Sequence, residues 1–389
     1  LSYYPTERGP YNLDTDNIDS EGNLLNPEKR WGGIMRKLET TDFETSNVEY
    51  IEFWMMDPFI YDKNNPKAGG KLYFNLGDIS EDVLKDGKKA FEHGLPIDGD
   101  LTKVETTLWG RVPKTQSTVV AFDNTQGARA KQDVGLDGLS SDDEQLFNTY
   151  KDFIDRLKSK VSTSAWQNML NDRFSAANDP ASDNYSFFKS SDYDNEKASI
   201  LTRYKRYNGS EGNSPDASNT QEEYTTTQST SPNVEDVNED NTLNEYEKYF
   251  QYSVDINRDS MLIGRNYITD SHTASVQLAN GNTEDVTWYQ FKIPVREYEG
   301  KVGSIRNFKS IRFVRMFMTG FKKETHLRFA TLELVRGEWR KYSKNDLNLP
   351  GKMPVSDGTL DVQAVNIEEN ANKTPVNYVL PPGISRVID

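Results

Sequence analysis

The stretch Val48-Glu49-Tyr50-Ile51-Glu52-Phe53-Trp54-Met55-Met56 repeats with a period of two, so that Ile51, Phe53 and Met55 share one face. A strand that buries one face needs partners of the same kind. Leu72, Phe74 and Leu76 provide one within Lys71–Leu76, with Tyr73 and Asn75 turned outward. Far downstream, Tyr289, Phe291, Ile293 and Val295 alternate with Trp288, Gln290 and Lys292. Ser310–Thr319 and Leu327–Val335 add strands rich in Phe, Ile, Val and Thr, and Asp361–Ile367 adds another. Residues 48–76 alone hold too few strands to bury a core. The expectation is therefore a mainly β fold, a jelly-roll-type β-sandwich built from residues 44–110 and 285–345. A long, partly helical insertion at 111–284 interrupts it, residues 1–43 form an extended N-terminal segment, and residues 346–389 form a C-terminal segment with the further strand. In the shared core, Ile51, Phe53, Leu72, Phe74, Tyr289, Phe291 and Ile293 are expected together.

The insertion carries one helical signal. Ser140 and the carboxylates of Asp142, Asp143 and Glu144 suit a helix N-terminus. Leu146, Phe147, Tyr150, Phe153, Ile154 and Leu157 then recur at helical spacing as an apolar stripe. Between Asn208 and Glu235, Gly, Ser, Asn, Thr, Gln and Glu dominate, and residues 208–235 read as a low-complexity loop that cannot offset its ordering entropy.

Over 389 residues, 46 Lys and Arg face 61 Asp and Glu, a formal net charge of −15. An acidic chain without a basic stripe repels phosphates, so no nucleic-acid partner is expected. The absence of Cys removes disulfides, thiolate metal sites and cysteine nucleophiles. No apolar run reaches the ~20 residues of a membrane helix, and direct membrane insertion by this chain is not expected. It begins at Leu1 without an initiating Met or a signal peptide, so a piece of a longer or processed polypeptide is expected.

Enzyme signatures are missing. His93, His272 and His326 form no paired-His motif, no GxSxG elbow occurs, and Gly69-Gly70-Lys71-Leu72 lacks the first Gly and the Ser or Thr of a phosphate loop. With so many carboxylates, a glycosidase-type pair is neither supported nor excluded. The expectation is a protein that is not an enzyme, with no catalytic residue.

The sharpest local signal is Asp236-Val237-Asn238-Glu239-Asp240-Asn241-Thr242-Leu243-Asn244-Glu245-Tyr246-Glu247. Against a twelve-residue calcium loop, Asp236, Asn238, Asp240, Asn244 and Glu247 put oxygens at positions 1, 3, 5, 9 and 12, and Thr242 offers its carbonyl at position 7. Asn241 stands where such loops need a left-handed residue. A structural Ca²⁺ is the expected cofactor. The competing reading is a capping box, Thr242 with Glu245, ahead of a helix carrying Tyr246, Tyr249 and Phe250. A weaker copy at Asn17, Asp19, Glu21, Gly22 and Glu28 is flanked by Pro10 and Pro27 and reads as a turn. Trp54, Tyr73, Trp288 and Trp339, if exposed, would suit sugar stacking; the alternative is that Trp54 and Trp288 pack beneath the insertion helix. The late arginines, Arg312 and Arg315 among them, are expected to pair with surplus carboxylates.

Several long stretches are similar to one family. Asn26–Arg36, Val48–Phe59, Leu76–Leu84, Gln132–Leu139, the run from Asp236, Ile311–Phe317 and Tyr378–Ile384 resemble, in order, the SprA (Sov) family of Bacteroidetes cell-surface proteins. That resemblance implies the outer-membrane translocon of the type 9 secretion system, which also serves gliding motility. Such proteins are very long chains that form a large transmembrane β-barrel with big soluble insertions. The strands here lack lipid-facing apolar bands, so the chain is expected to be a soluble insertion rather than barrel wall, a structural, gating or partner-binding domain. Expected partners are other secretion-system components, exported proteins and the remainder of the parent chain. The expected location is the outer membrane, on its extracellular rather than periplasmic side. The alternative from another class is a carbohydrate-binding β-sandwich module of an exported protein.

Overall fold

Alternation in the sequence becomes two antiparallel sheets in the computed structural model, which describes residues 1–60, 69–89, 95–96, 98–115, 137–185, 188–189, 191–205, 211–212, 234–278 and 280–337. Nine strands build the sheets: β1 Trp31–Lys37, β2 Val48–Met56, β3 Gly69–Asp78, β4 Lys248–Asn257, β5 Ile268–Gln277, β6 Thr283–Pro294, β7 Gly300–Val302, β8 Phe313–Thr319 and β9 Phe329–Arg336. One sheet has the order β5-β6-β2-β9, the other β7-β4-β3-β8-β1. All lie within one compact unit, Leu1–Gly337.

The inward faces meet in a single core. Ile51, Phe53 and Met55 of β2 join Phe291 and Ile293 of β6 from the first sheet. Leu72, Phe74 and Leu76 of β3 join Tyr252, Val254 and Ile256 of β4 from the second. Tyr289 packs against this cluster while partly exposed. Register explains the set: Phe53 pairs with Phe291 and Ile51 with Ile293, so one alternation fixes both faces. Strands from residues 48–78 and from residues 283–336 thus share one sandwich core.

Three strands come from outside the two expected segments. β1 lies within residues 1–43, and β4 and β5 lie within 111–284. β4 replaces the helix suggested by the capping box, because Phe250, Tyr252, Val254 and Ile256 alternate and bury one face. The nested pairs β2–β9 and β3–β8 suit a jelly roll, but β3 also adjoins β4 and β2 adjoins β6, so the sheets do not follow a jelly-roll order throughout.

Within the insertion, Ser140 caps a short helix α1, Ser141–Glu144, by accepting from the Asp143 N–H at 3.3 Å. The chain breaks there, leaving Leu146 exposed, and restarts as α2, Asn148–Lys160, which buries Tyr150, Phe153 and Leu157. Tyr150 packs with Leu139, Ala181, Tyr11 and Phe147 in a cluster of its own. Most of 208–235, all of 346–389, Asp361–Ile367 and Trp339 lie outside the described residues. Among the described residues no helix is long and apolar enough to cross a membrane.

Candidate functional site

The run Asp236–Glu247 folds as a turn-rich loop ahead of β4. Asp236 is buried and accepts from the backbone N–H groups of Asp240 at 2.9 Å and Asn241 at 3.0 Å. Asn241 takes the left-handed conformation the sequence requires of it, with φ 61°. Asn238 accepts from the Asp240 N–H and donates its amide to the Asp240 carboxylate at 2.8 Å. Thr242 donates to Asp240 through both its N–H and its hydroxyl. Buried Asn244 donates to the Ile79 carbonyl at 2.7 Å. Glu81, also buried, accepts from the N–H groups of Asn238 and Asn244 and so clips the loop to the chain that follows β3.

The loop's charge is met by bases from elsewhere in the fold. Arg312 reaches Asp240 at 2.6 Å, Arg315 grips Glu247 with two bonds at 3.0 and 3.2 Å, and Lys37 reaches Glu239 at 3.3 Å. Lys89 donates to the Asn241 carbonyl. Burial alone would raise the Asp240 carboxyl, but the bonds from Thr242 and Asn238 and the Arg312 charge hold it below the usual carboxylate value. Of the six expected calcium ligands, Asp236, Asn238, Asp240, Thr242, Asn244 and Glu247, two hold arginines: Asp240 pairs with Arg312 and Glu247 with Arg315. A cation there would have to displace both guanidinium groups. The weaker copy is a turn: Asp19 accepts from the N–H groups of Glu21 and Asn23, each at 2.9 Å.

The outer face of the five-stranded sheet carries an aromatic stripe. Tyr73 of β3 stacks on Phe317 of β8, centroids 4.6 Å apart and planes 4° from parallel, and Phe317 meets Trp31 of β1 edge-on. Trp31, on the sheet's edge strand, is 71% exposed. Trp54 and Trp288, on the other sheet, are half-buried. An open pocket near Asp98, Lys103 and Pro113 has one carboxylate among the described residues of its lining.

Sequence reasoning missed a third feature. Asp137, Glu144 and Asp183 are all wholly buried, and oxygen atoms from the three lie within 4.8 Å of one another. Among the described residues this is the one acidic group that converges so closely. No local motif announces it, since its members come from the turn at Asp137, the end of α1 at Glu144 and the distant loop at Asp183.

A family model, SprA_N, described as motility related/secretion protein, matches residues 152–389, more than half of the chain. No curated protein matches it.

Proposed function

The chain belongs to the SprA N-terminal family of motility-related and secretion proteins, and from that premise we propose that it is a non-enzymatic, partner-binding domain of a large outer-membrane protein-export channel. The export reading is that of the type 9 system, with a shared role in gliding. The observation that carries the binding role is the stripe Trp31–Phe317–Tyr73, which crosses three neighbouring strands and ends in the exposed Trp31 on the edge strand β1. Aromatic side chains are enriched where proteins dock, because they bury large area at little entropic cost. A protein partner, either another secretion-system component or an exported chain, fits that surface. The proposed site of action is the extracellular side of the outer membrane.

Sugar binding is the second reading, and the same stripe favours it. Tyr73 speaks against it: its ring lies flat on Phe317, so one of its faces is already covered. Trp31 is then the principal free platform.

Trp31→Ala with Phe317→Ala in the full-length parent protein tests the proposal in cells. Export and gliding should fall sharply while the amount of parent protein in the outer membrane stays the same. Unchanged export would remove the binding role. Glycan-array binding by the 389-residue chain, lost in Trp31→Ala, would favour the sugar reading.

A further inference from the structure

A strand at the edge of a sheet leaves half of its main-chain groups outside the ladder, and folded proteins guard such edges with short strands, bulges or charge. The edge strands of the two sheets are β5, β9, β7 and β1. β7 is three residues long, and beyond it the Asn266 side chain stands in for a strand. It accepts from the Asp255 N–H at 2.9 Å and donates to the Asp255 carbonyl at 2.8 Å. β9 has register shifts at both ends. β5 opens on a register shift, and its remaining residues are polar apart from Ala274 and Val276. β1 is neither short nor bulged. It keeps register with β8 over all seven residues, from Trp31 opposite Thr319 to Lys37 opposite Phe313. Charge guards it at one end alone, with Arg36 and Lys37, and Lys37 is already paired with Glu239.

The phase of the ladder shows which groups of β1 are left over. The Leu38 N–H donates to the Arg312 carbonyl, so Arg36, Ile34 and Gly32 bond inward to Val314, Met316 and Met318. The N–H and C=O groups of Trp31, Gly33, Met35 and Lys37 therefore point away from the sheet. Among the described residues these outward main-chain groups have no hydrogen-bond partner. Side chains flank the free row on both faces. Trp31 and Met35 share the outer face with Phe317, while Ile34 and Arg36 share the inner one with buried Met316 and Met318. Ile34 is nonetheless 50% exposed, so the core does not cover it. Arg36 is exposed and forms no ion pair among the described residues.

We propose that β1 receives an extended, acidic segment of a separate polypeptide as an added strand, bonded through the main chain of Trp31, Gly33, Met35 and Lys37, with a carboxylate set against Arg36. The inference rests on the partner-binding reading above and names its mode. A row of free N–H and C=O groups selects an extended main chain, because a folded helix or a sugar does not present the matching alternation of donors and acceptors. Apolar side chains of the incoming strand meet Trp31 and Met35 on one face and Ile34 on the other. Arg36 supplies the charge complementarity that favours an acidic residue beside Ile34. A second copy of this chain fits less well, since its own β1 carries no acidic residue and each copy has a formal net charge of −15.

Met35→Pro tests the mode, because it removes an N–H that points away from β8 and sets a ring on the free edge while the β1–β8 ladder keeps its bonds. The probe is a displayed library of random peptides selected on the 389-residue chain. The expected products are peptides with alternating apolar residues and an Asp or Glu. Their affinity should fall by about 10-fold or more in Met35→Pro and by about 2–5-fold in Arg36→Ala. Residue-resolved hydrogen exchange on the wild-type chain needs no variant and decides if Met35→Pro does not fold. Bound peptide should slow the N–H groups of Trp31, Gly33, Met35 and Lys37 and leave those of Gly32, Ile34 and Arg36 unchanged. Recovery of no peptide would overturn strand addition. So would peptides that bind folded Met35→Pro as tightly as the wild type, or that leave the outward amides unslowed; loss of such peptides in Trp31→Ala would then keep the aromatic stripe as the site. A dimer of the chain that Met35→Pro dissociates would also overturn the proposal, placing a second copy on the edge. The partner-binding reading fails separately, when Trp31→Ala with Phe317→Ala leaves export unchanged.

Discussion

Phe53 and Phe291 face each other across the pairing of β2 and β6, with ring centroids 4.7 Å apart and planes 11° from parallel. Both are fully buried, and Phe74 of the opposite sheet lies 5.4 Å from Phe53. The contact therefore joins distant parts of the chain and both layers of the sandwich. Phe53→Ala should destabilise the fold by about 3–5 kcal/mol, through lost burial and the cavity left behind. Urea denaturation of the chain measures it. A loss below about 1 kcal/mol would mean that the two sheets do not share this core.

The clip at Glu81 should respond to pH. Burial pushes its carboxyl up from 4.5 to about 7, with Asp236 and Asp240 adding repulsion and the N–H groups of Asn244 and Asn238 opposing the rise. The folded state thus favours the protonated form. Its contribution is complete below the unfolded value of 4.5 and is lost as pH rises through about 7. Amide exchange at Asn238 and Asn244, corrected for intrinsic rates, should quicken between about pH 5 and about pH 8. Glu81→Gln should flatten that dependence. A wild-type profile indistinguishable from Glu81→Gln would refute the assignment.

Two changes in the 236–247 loop should differ in cost. Arg315→Ala removes a pair that stays partly exposed, so global stability should fall by less than about 1 kcal/mol. Asp236→Ala removes a buried acceptor of two backbone N–H groups and should cost about 1–3 kcal/mol. Thermal or urea melts of the two variants compare them directly, and equal losses would mean that the loop is not anchored at Asp236.

Legibility followed the strength of local periodicity. β2, β3 and β6 could be read because each has one apolar face; burial follows that alternation in β2, whereas on β3 Asn75, expected to face outward, is wholly buried. β4 alternates just as well at Phe250, Tyr252, Val254 and Ile256. Tyr246, Tyr249 and Phe250, however, also fall at helical spacing behind a capping box, so two periods compete there and only the burial of one face decides for the strand. β1 carries Gly32 and Gly33 and two terminal bases, the marks of an edge strand with no single apolar face. β5 is exposed on both faces over most of its length, so nothing in its pattern points to a core. The acidic run at Asp236 was easy to find because its oxygens are close in sequence. Its arginine partners, on β8 and just before it, carry no sequence mark of that pairing. Asp137, Glu144 and Asp183 had the opposite problem, since only the fold brings them together.

The central claim is that the exposed stripe around Trp31 meets a protein during export. The direct measurement is site-specific photocrosslinking in living cells, with a photoreactive phenylalanine analogue at position 31 of the full-length parent protein and, as a control, at the buried position 53. The account predicts a discrete protein adduct from position 31, identified by mass spectrometry as a secretion-system component or an exported chain, and none from position 53. Glycan adducts alone at position 31, or no adduct in cells that are actively exporting, would contradict it.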